Sequence, residues 1–338
     1  MAEAQTGKQP SPALLFDTFN AYQRTQAIKT GIELGIFTII GEGNTTAKAI
    51  ADKAGASERG TRILCDFLVI SGFLTKEGST YGLTPDTAMF LDKRSPAYMG
   101  TVSEFILSPH VMENFDRLTE AVRNGGCTHE NAFEPDNPMW VNFARAMAPM
   151  MAMPAQLMAH LVDPAKDKKL RVLDIAAGHG LFGIAFAKQN PQAEITPVDW
   201  PNVLGVAKEN AQAAGVADRY HPNPGSAFDV DYGTGYDLVL LTNFLHHFDK
   251  ETCETLLSKV RASLADGGRV ATLEFVPNDD RVTPPQAAAF SMQMLGGTPS
   301  GDAYTFAELE QMFQNAGFAG SEMHELPPTI ERVVISYK

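Results

Sequence analysis

The chain has 338 residues, of which 44% are apolar and 20% are charged, as is typical of a globular protein large enough for two domains. Its net charge of -13 argues against a surface for nucleic acid or an anionic membrane, because clustered lysine and arginine are needed to bind phosphate groups. Cys65, Cys127 and Cys253 are far apart and lack metal-ligand spacing, so we expect no metal site and a reduced, cytoplasmic compartment.

The first elements are helical. Residues 1–12 lack the apolar core of a signal sequence and are expected to form a loose tail, and no later run approaches a membrane span. Residues 13–40 carry apolar residues at helical spacing. Thr45 or Thr46 can cap the next short helix, and Ser57 can start another. The segments FLTKEG and STYGLTP then predict a small hairpin.

Helix, helix and hairpin in this order are typical of a winged helix, which we place in residues 13–104. DNA binding must therefore be weighed against dimerisation. Acidic residues slightly outnumber basic ones as far as Glu104, and the second helix, which would read DNA, is apolar rather than basic. We expect a dimerisation domain, and the apolar helices before Ile40 predict a homodimer.

Connecting helices are predicted over residues 105–165. The helical pattern starts at Ser95 and continues to Arg123, and a methionine-rich helix follows from Trp140 to Leu161. Pro149 and Pro154 should kink or interrupt that helix. Methionines usually fill a core, here between domains, but this segment leads directly into the next domain and could also form a pocket over a cofactor. The residues of that candidate pocket are Phe143, Met147 and Met150.

The stretch KLRVLDIAAGHGLFG, residues 169–183, predicts a buried strand, a turn of small residues and the start of a helix. Gly178, Gly180 and Gly183 form a GxGxxG pattern, in which glycine permits a sharp turn close to a ligand. Asp199 ends the next apolar segment, where a carboxylate could accept hydrogen bonds from both hydroxyls of a ribose. The pattern therefore fits a dinucleotide or an adenosyl cofactor.

Asp174, near the tip of the first strand, helps to separate these two cofactors. Its carboxylate would repel a pyrophosphate but attract a cationic amino-acid group, which favours S-adenosylmethionine over NAD. A third interpretation is that the glycines only allow the helix and strand to pack closely.

Strands alternate with helices from residue 166 to 338, which predicts an α/β fold with a Rossmann-like, doubly wound sheet. Ligands of such sheets bind at the carboxyl ends of the strands. At one of these ends, NFLHHFD contains His246 and His247, which as neighbours on a helical turn cannot both face one pocket. Glu274 ends the next strand and could orient an imidazole. The alternative is that these side chains are structural or solvated.

The whole set of motifs resembles the class I S-adenosylmethionine-dependent O-methyltransferases that have an amino-terminal winged-helix dimerisation domain. VLDIAAGHG is similar to the family's VDVGGGxG, VDWP to its DLP, LHHFDKETC to its LHDWSDEHC, and LEFVP to its AECxxP. YTFAELEQMFQNAGF is similar to its closing helix. The resemblance covers nearly the whole chain after residue 12, and it implies a C-terminal antiparallel strand in the sheet.

The resemblance also implies a site. His246 would be the catalytic base, and Glu274 would be the acid that orients it. Ser226, Thr242 and Phe248 depart from the Asp, Lys and Trp of plant members, and Asp302 or Ala303 falls near the family's second acid. The implied cofactor contacts are Asp174, Gly178, Gly180, Asp199, Trp200, Ser226, Ala227, Phe228, Thr242 and Asn243. We expect the acceptor pocket to contain Phe143, Met147, Met150, His247, Phe290 and Met294.

The expected function is methyl transfer from S-adenosylmethionine to a hydroxyl group of a small molecule, with no metal. S- or C-methylation on the same fold remains an alternative, because a thioether or an activated carbon depends less on a base. A non-catalytic winged-helix regulator and an NAD oxidoreductase are the alternatives from other classes.

Overall fold

The computed structural model describes residues 9–128, 137–163 and 168–338. The chain divides into two compact units, residues 1–103 and 104–338. The predicted boundary between residues 165 and 166 lies outside the described residues. In the part of the chain that the structure describes, no helix is long and apolar enough to span a membrane.

The first unit is mostly helical and contains one hairpin. Its elements are α1 (Ala13–Phe19), α2 (Ala21–Glu33), α3 (Ile36–Gly41), α4 (Ala47–Ala54), α5 (Glu58–Ile70), β1 (Leu74–Glu77), β2 (Thr80–Leu83) and α6 (Pro85–Phe90). Thr46 caps α4 by accepting a hydrogen bond from Ala49, and Ser57 caps α5 in the same way. The helix, helix and hairpin of the predicted winged helix are therefore present.

From Val102 onwards the chain forms helices and then alternating strands and helices, and the first of these helices begins two residues before the second unit. The helices are α7 (Val102–Ile106), α8 (Pro109–Asp116), α9 (Leu118–Asn124), α10 (Pro138–Val162), α11 (Leu181–Gln189), α12 (Pro201–Ala213), α13 (Lys250–Ser263), α14 (Pro285–Gly297) and α15 (Phe306–Asn315). The strands are β3 (Leu170–Ile175), β4 (Ala193–Asp199), β5 (Asn223–Pro224), β6 (Tyr236–Thr242), β7 (Leu264–Glu274), β8 (Gly320–Glu325) and β9 (Arg332–Tyr337). A short 3₁₀ turn, Leu245–His247, follows β6.

The seven strands lie in the order β5-β4-β3-β6-β7-β9-β8. Neighbours from β5 to β7 are parallel, whereas β9 is antiparallel to both β7 and β8. This arrangement confirms the predicted doubly wound sheet with an antiparallel C-terminal strand. The chain order reverses between β3 and β6, and ligands of open α/β sheets bind at such a point.

Two helical predictions need correction. The pattern from Ser95 to Arg123 is not one helix: α7 starts only at Val102, and the region is divided into three short helices. Conversely, Pro149 and Pro154 do not interrupt α10, which runs without a break for 25 residues. Each proline removes only one intrahelical hydrogen bond, and the buried face of α10 packs into the core of the sheet domain.

Candidate active site

Four neighbouring strand ends form the candidate site. β3 leads into the glycine loop and β4 ends at Asp199, while β6 leads into the 3₁₀ turn and β7 ends at Glu274. Two residues that directly follow the central strands, Ala176 and Asn243, have positive φ angles of 54° and 52° although they are not glycine. Such backbone is unfavourable for side-chain-bearing residues and concentrates at functional sites, so this edge of the sheet is the candidate active site.

His246 and Glu274 are in direct contact. The imidazole Nδ1 lies 2.5 Å from Glu274 Oε2, and the side chains are only 6% and 5% exposed. The other carboxylate oxygen, Oε1, accepts hydrogen bonds from the backbone N–H groups of Phe244 and Leu245 at 3.0 and 2.9 Å. Glu274 therefore fixes both the turn that carries His246 and the orientation of its ring. With Nδ1 bound, Nε2 is the nitrogen left for proton transfer.

His247 has a different environment. Its ring centre lies 4.4 Å from that of His246 and 6.0 Å from the indole of Trp140. Burial, with a smaller contribution from His246, holds the pKa of His247 well below its usual range. This histidine is therefore neutral at physiological pH and packs against aromatic rings.

The three glycines of the GxGxxG pattern have different surroundings. A side chain on Gly178 would meet no atom closer than 3.9 Å, so the face of the loop at this residue is open to a ligand. A Cβ on Gly180 would lie 2.5 Å from the Tyr220 hydroxyl, and one on Gly183 would lie 2.8 Å from Asp174 Oδ2. Close packing, the third interpretation of the pattern, therefore accounts for Gly180 and Gly183.

Asp174 lies behind the loop. Its side chain is fully buried, and Oδ2 accepts a hydrogen bond of 3.0 Å from the N–H of Gly183 in the first turn of α11. Burial raises the pKa of Asp174 to about 7. Its Oδ1 atom is buried without a hydrogen-bond partner among the described residues. The carboxyl group thus tethers the helix to the strand and retains one oxygen for a further donor.

Asp199 links the loop to the end of β4. Oδ2 accepts a hydrogen bond of 2.8 Å from the N–H of Gly178, and Oδ1 accepts one of 2.7 Å from that of Trp200. Burial raises the pKa of Asp199 to about 6. The indole of Trp200 is half-buried against α10 and α12, so its closest association is with the core.

The remaining predicted cofactor residues lie in two places. Ser226, Ala227 and Phe228 form a turn after β5, in which Ser226 Oγ accepts a hydrogen bond from the N–H of Phe228 at 3.1 Å. Thr242 is buried at the end of β6. Asn243 follows it and donates to the sulfur of Met151 over 3.5 Å, while its Oδ1 atom is buried without a partner among the described residues.

The predicted acceptor residues lie on α10, on α14 and in the 3₁₀ turn after β6. Phe290, on α14, packs edge-on against His246 with 4.8 Å between ring centres and stacks on Phe275 at 4.0 Å. Phe143, on α10, contacts Phe105 and Trp140. The methionines of this set are buried or half-buried on the same helices: Met147 and Met150 on α10, and Met294 on α14.

Comparison with known proteins agrees with this geometry. A family model described as an O-methyltransferase domain matches residues 115–319, and another described as an O-methyltransferase dimerisation domain matches residues 16–93. The chain is 30% identical to a 3-hydroxy-5-methyl-1-naphthoate 3-O-methyltransferase from Streptomyces sahachiroi, over 90% of this chain and 89% of the relative.

The chain belongs to the O-methyltransferase family.

Solved structures of O-methyltransferases share its fold. A candidate O-methyltransferase from Nostoc punctiforme is 57% identical, with a TM-score of 0.94 over 98% of this chain and all of the other. Human N-acetylserotonin methyltransferase, solved in complex with SAM (S-adenosylmethionine), is 22% identical and has a TM-score of 0.85 over 98% and 99% of the two chains. The predicted family resemblance and the expectation of a methyl-transferring enzyme are confirmed.

Several residues near the site of this O-methyltransferase were not predicted from the sequence. Tyr220 packs under Gly180, and Lys259 contacts the turn at Ala227. Gly301 lies against the turn that carries His246, because a Cβ there would lie 2.1 Å from the His246 carbonyl oxygen. The GGTPSG composition before residue 302 was the only available signal for Gly301. Tyr220 and Lys259 lie in ordinary helical or loop sequence.

Neither Asp302 nor Ala303 supplies a second acid beside the imidazole of His246. Asp302 pairs with Arg281 over 3.1 Å, and the neighbouring Ala303 is buried. Within residues 9–128, 137–163 and 168–338, no group of His, Cys, Asp or Glu has an arrangement that could hold a metal ion.

Proposed function

We propose that this O-methyltransferase transfers the methyl group of S-adenosylmethionine to a hydroxyl group of a small organic molecule, with His246 as the general base. The observation that supports this role is the buried contact between His246 Nδ1 and Glu274. A hydroxyl group is a poor nucleophile until its proton is removed, and a base of this kind contributes about 10² to 10⁴-fold to a rate.

The proton path follows from the hydrogen bonds. Glu274 is an acceptor towards two backbone N–H groups, so its carboxylate accepts the Nδ1 proton of His246 rather than donating to it. The lone pair of Nε2 then takes the proton of the acceptor hydroxyl. The resulting imidazolium is stabilised by the carboxylate at 2.5 Å. When bound, S-adenosylmethionine supplies an electrophilic methyl carbon on a sulfonium sulfur.

The residues at the strand ends fit this cofactor. Asp199 can accept hydrogen bonds from a ribose diol on the remaining lone pairs of its oxygens, and Gly178 leaves open space beside it. Asn243 Oδ1 and Asp174 Oδ1 are buried acceptors without partners among the described residues, as suits a ligand with several donors. Acceptor oxygens suit the ammonium donors of an amino-acid group better than the acceptor oxygens of a pyrophosphate.

The test is turnover of His246→Ala and His246→Gln with a panel of candidate acceptors, followed by mass spectrometry for the gain of one CH2 group. Turnover should fall about 10² to 10⁴-fold, and the affinity for S-adenosylhomocysteine should stay the same. His221→Ala is the matched control, because His221 forms an exposed pair with Glu194 at 2.6 Å on the same domain. Full turnover by the His246 variants would refute the assignment.

Two alternatives can be separated in the same experiments. A carbon or thioether acceptor needs less help from a base, so C- or S-methylation would leave the His246 variants active. An NAD enzyme would be stabilised against heat by NAD and not by S-adenosylhomocysteine. The buried histidine–glutamate pair supports a hydroxyl acceptor over both.

We further propose a homodimer formed through the first unit. A group of large apolar side chains on α1 and α2 is exposed, with Leu14 and Phe19 at 76% and 68%. Contiguous apolar surface of this kind marks an interaction site, and the family model for this segment describes dimerisation. The exposed residues are Leu14, Leu15, Phe16, Phe19 and Tyr22. A monomeric mass by light scattering at micromolar concentration would contradict the proposal.

A further inference from the structure

Lys259, on α13, contacts the turn that contains Ser226, Ala227 and Phe228. Its ammonium group donates hydrogen bonds to the carbonyl oxygens of Ala227 and Phe228 at 3.1 and 2.8 Å. The same group lies 4.3 Å from the ring centre of Tyr232, and the hydroxyl of Tyr232 also donates to the Ala227 oxygen. Two consecutive carbonyl groups are therefore fixed by a cation and an aromatic residue.

This arrangement differs from that of an ordinary surface lysine. No ion pair involves Lys259 in the described part of the chain, whereas the other lysine of α13, Lys250, pairs with Glu308 at 2.7 Å. Burial lowers the pKa of Lys259, and the carboxylates of Asp229 and Asp231 act in the opposite direction. Partial burial of a cation is unfavourable, and here the two carbonyl groups and the tyrosine ring offset that cost.

The two carbonyl contacts orient peptide groups of the turn. The Ala227 carbonyl and the Phe228 N–H belong to one planar peptide group. Because the carbonyl oxygen is held towards α13, the N–H is directed to Ser226 Oγ, to which it donates at 3.1 Å. At its start, the turn is tied to the ribose-binding carboxylate residue, because Gly225 donates from its N–H to the carbonyl oxygen of Asp199 at 2.9 Å. On its other side, the ring of Phe228 packs 5.1 Å from that of Phe248.

We propose that Lys259 is a positioning residue for the cofactor: its ammonium group holds the carbonyl groups of Ala227 and Phe228, and this fixes the Ser226–Phe228 turn in the conformation that contacts the adenosyl group. The proposal rests on the proposed function, because it assumes an adenosyl ligand beside Asp199. Lys259 acts through the turn and contacts no reacting atom.

The test compares Lys259→Met, Lys259→Arg and the control Lys250→Met in the full-length protein. Methionine keeps much of the aliphatic stem and removes the donors, whereas arginine keeps donors that can reach both carbonyl groups. Lys250→Met removes a cation from the same helix away from the turn. Calorimetry would give the dissociation constant of S-adenosylhomocysteine, and kinetics would give the KM for each substrate and kcat.

Lys259→Met should raise the dissociation constant of S-adenosylhomocysteine and the KM for S-adenosylmethionine about tenfold, with kcat and the acceptor KM within about twofold of wild type. Lys259→Arg should restore most of the affinity, and Lys250→Met should match wild type. Methylthioadenosine, which lacks the amino-acid group, should lose affinity by the same factor as S-adenosylhomocysteine, because the change acts at the adenosine end.

Four results would count against the proposal. An unchanged dissociation constant in Lys259→Met would remove the positioning role alone, provided that wild type binds. A fall in kcat equal to the loss in affinity would indicate general damage instead. If Lys259→Met does not fold, Tyr232→Phe, which removes one donor to the Ala227 oxygen and keeps the ring, must show the same selective loss. Failure of wild type to bind either adenosyl ligand would refute the proposed function together with this role.

Discussion

Glu274→Gln separates the orientation of His246 from the stability of the turn that carries it. The carboxylate accepts three hydrogen bonds: from Phe244 N–H at 3.0 Å, from Leu245 N–H at 2.9 Å and from His246 Nδ1 at 2.5 Å. Glutamine has one carbonyl oxygen, which can keep both backbone donors. Its NH2 group then faces Nδ1, and this nitrogen must become an acceptor.

The consequence is a change of tautomer. With Nδ1 as acceptor, the imidazole proton moves to Nε2, the atom that should accept the proton of the substrate hydroxyl. We expect kcat to fall about 10² to 10⁴-fold, which corresponds to about 3 to 5 kcal/mol of barrier. Unfolding free energy should fall less, by about 1 to 2 kcal/mol, because the two backbone hydrogen bonds remain and one charge-assisted bond becomes neutral.

The assay is single-turnover methylation with saturating S-adenosylmethionine, together with chemical denaturation and S-adenosylhomocysteine binding. Glu194→Gln is the matched control, since its carboxylate pairs with a histidine at 2.6 Å in an exposed position. A Glu274→Gln enzyme with kcat within about threefold of wild type would refute the reasoning, as the tautomer would then have no kinetic effect. An equal loss of cofactor affinity would refute it too.

Three further predictions concern the same edge of the sheet. The pKa of Asp174 is about 7 in the folded protein, against the usual 3.8, so its contribution to stability is greatest below pH 4 and is lost as pH rises through 7. The unfolding free energy should therefore decline over this range. Asp174→Asn should remove up to about 4 kcal/mol of the decline, as measured by urea titration from pH 4 to 8. The affinity for S-adenosylhomocysteine should weaken by up to about tenfold per pH unit below pH 6, where Asp199 becomes protonated, and an affinity independent of pH from 5 to 8 would contradict this. Gly301→Ala should lower kcat about tenfold or more with little change in cofactor affinity, because its Cβ would lie 2.1 Å from the His246 carbonyl oxygen, and an unchanged kcat would show that the turn can yield.

The sequence was sufficient for the elements that local chemistry determines. Apolar runs predicted β3, β4, β6 and β7, and hydroxyl caps predicted the starts of α4 and α5. β8 was missed because GSEMHE is half-exposed and polar, so its pairing with β9 leaves no periodic pattern. The continuity of α10 through two prolines depends on packing against the sheet, which outweighs a local helix-breaking tendency.

The same distinction between local chemistry and long-range packing applies to the candidate site. The proximity of His246 and Glu274 could be predicted, because the ends of neighbouring parallel strands meet at one edge of a sheet. The different roles of Gly178 and Gly180 could not, since they depend on Tyr220, a residue 40 positions along the chain in a separate element. The role proposed for Lys259 depends on two carbonyl groups, and backbone acceptors leave no trace in a sequence.

The left-handed backbone at Ala176 and Asn243 has a consequence for protein engineering. Glycine at either position would relieve strain of about 1 kcal/mol, so a library ranked on melting temperature would enrich these replacements. At Asn243 the same replacement also removes a buried amide oxygen that has no hydrogen-bond donor among the described residues. Selection for heat resistance and selection for catalysis should therefore diverge at position 243, which is best held constant when the enzyme is stabilised for use.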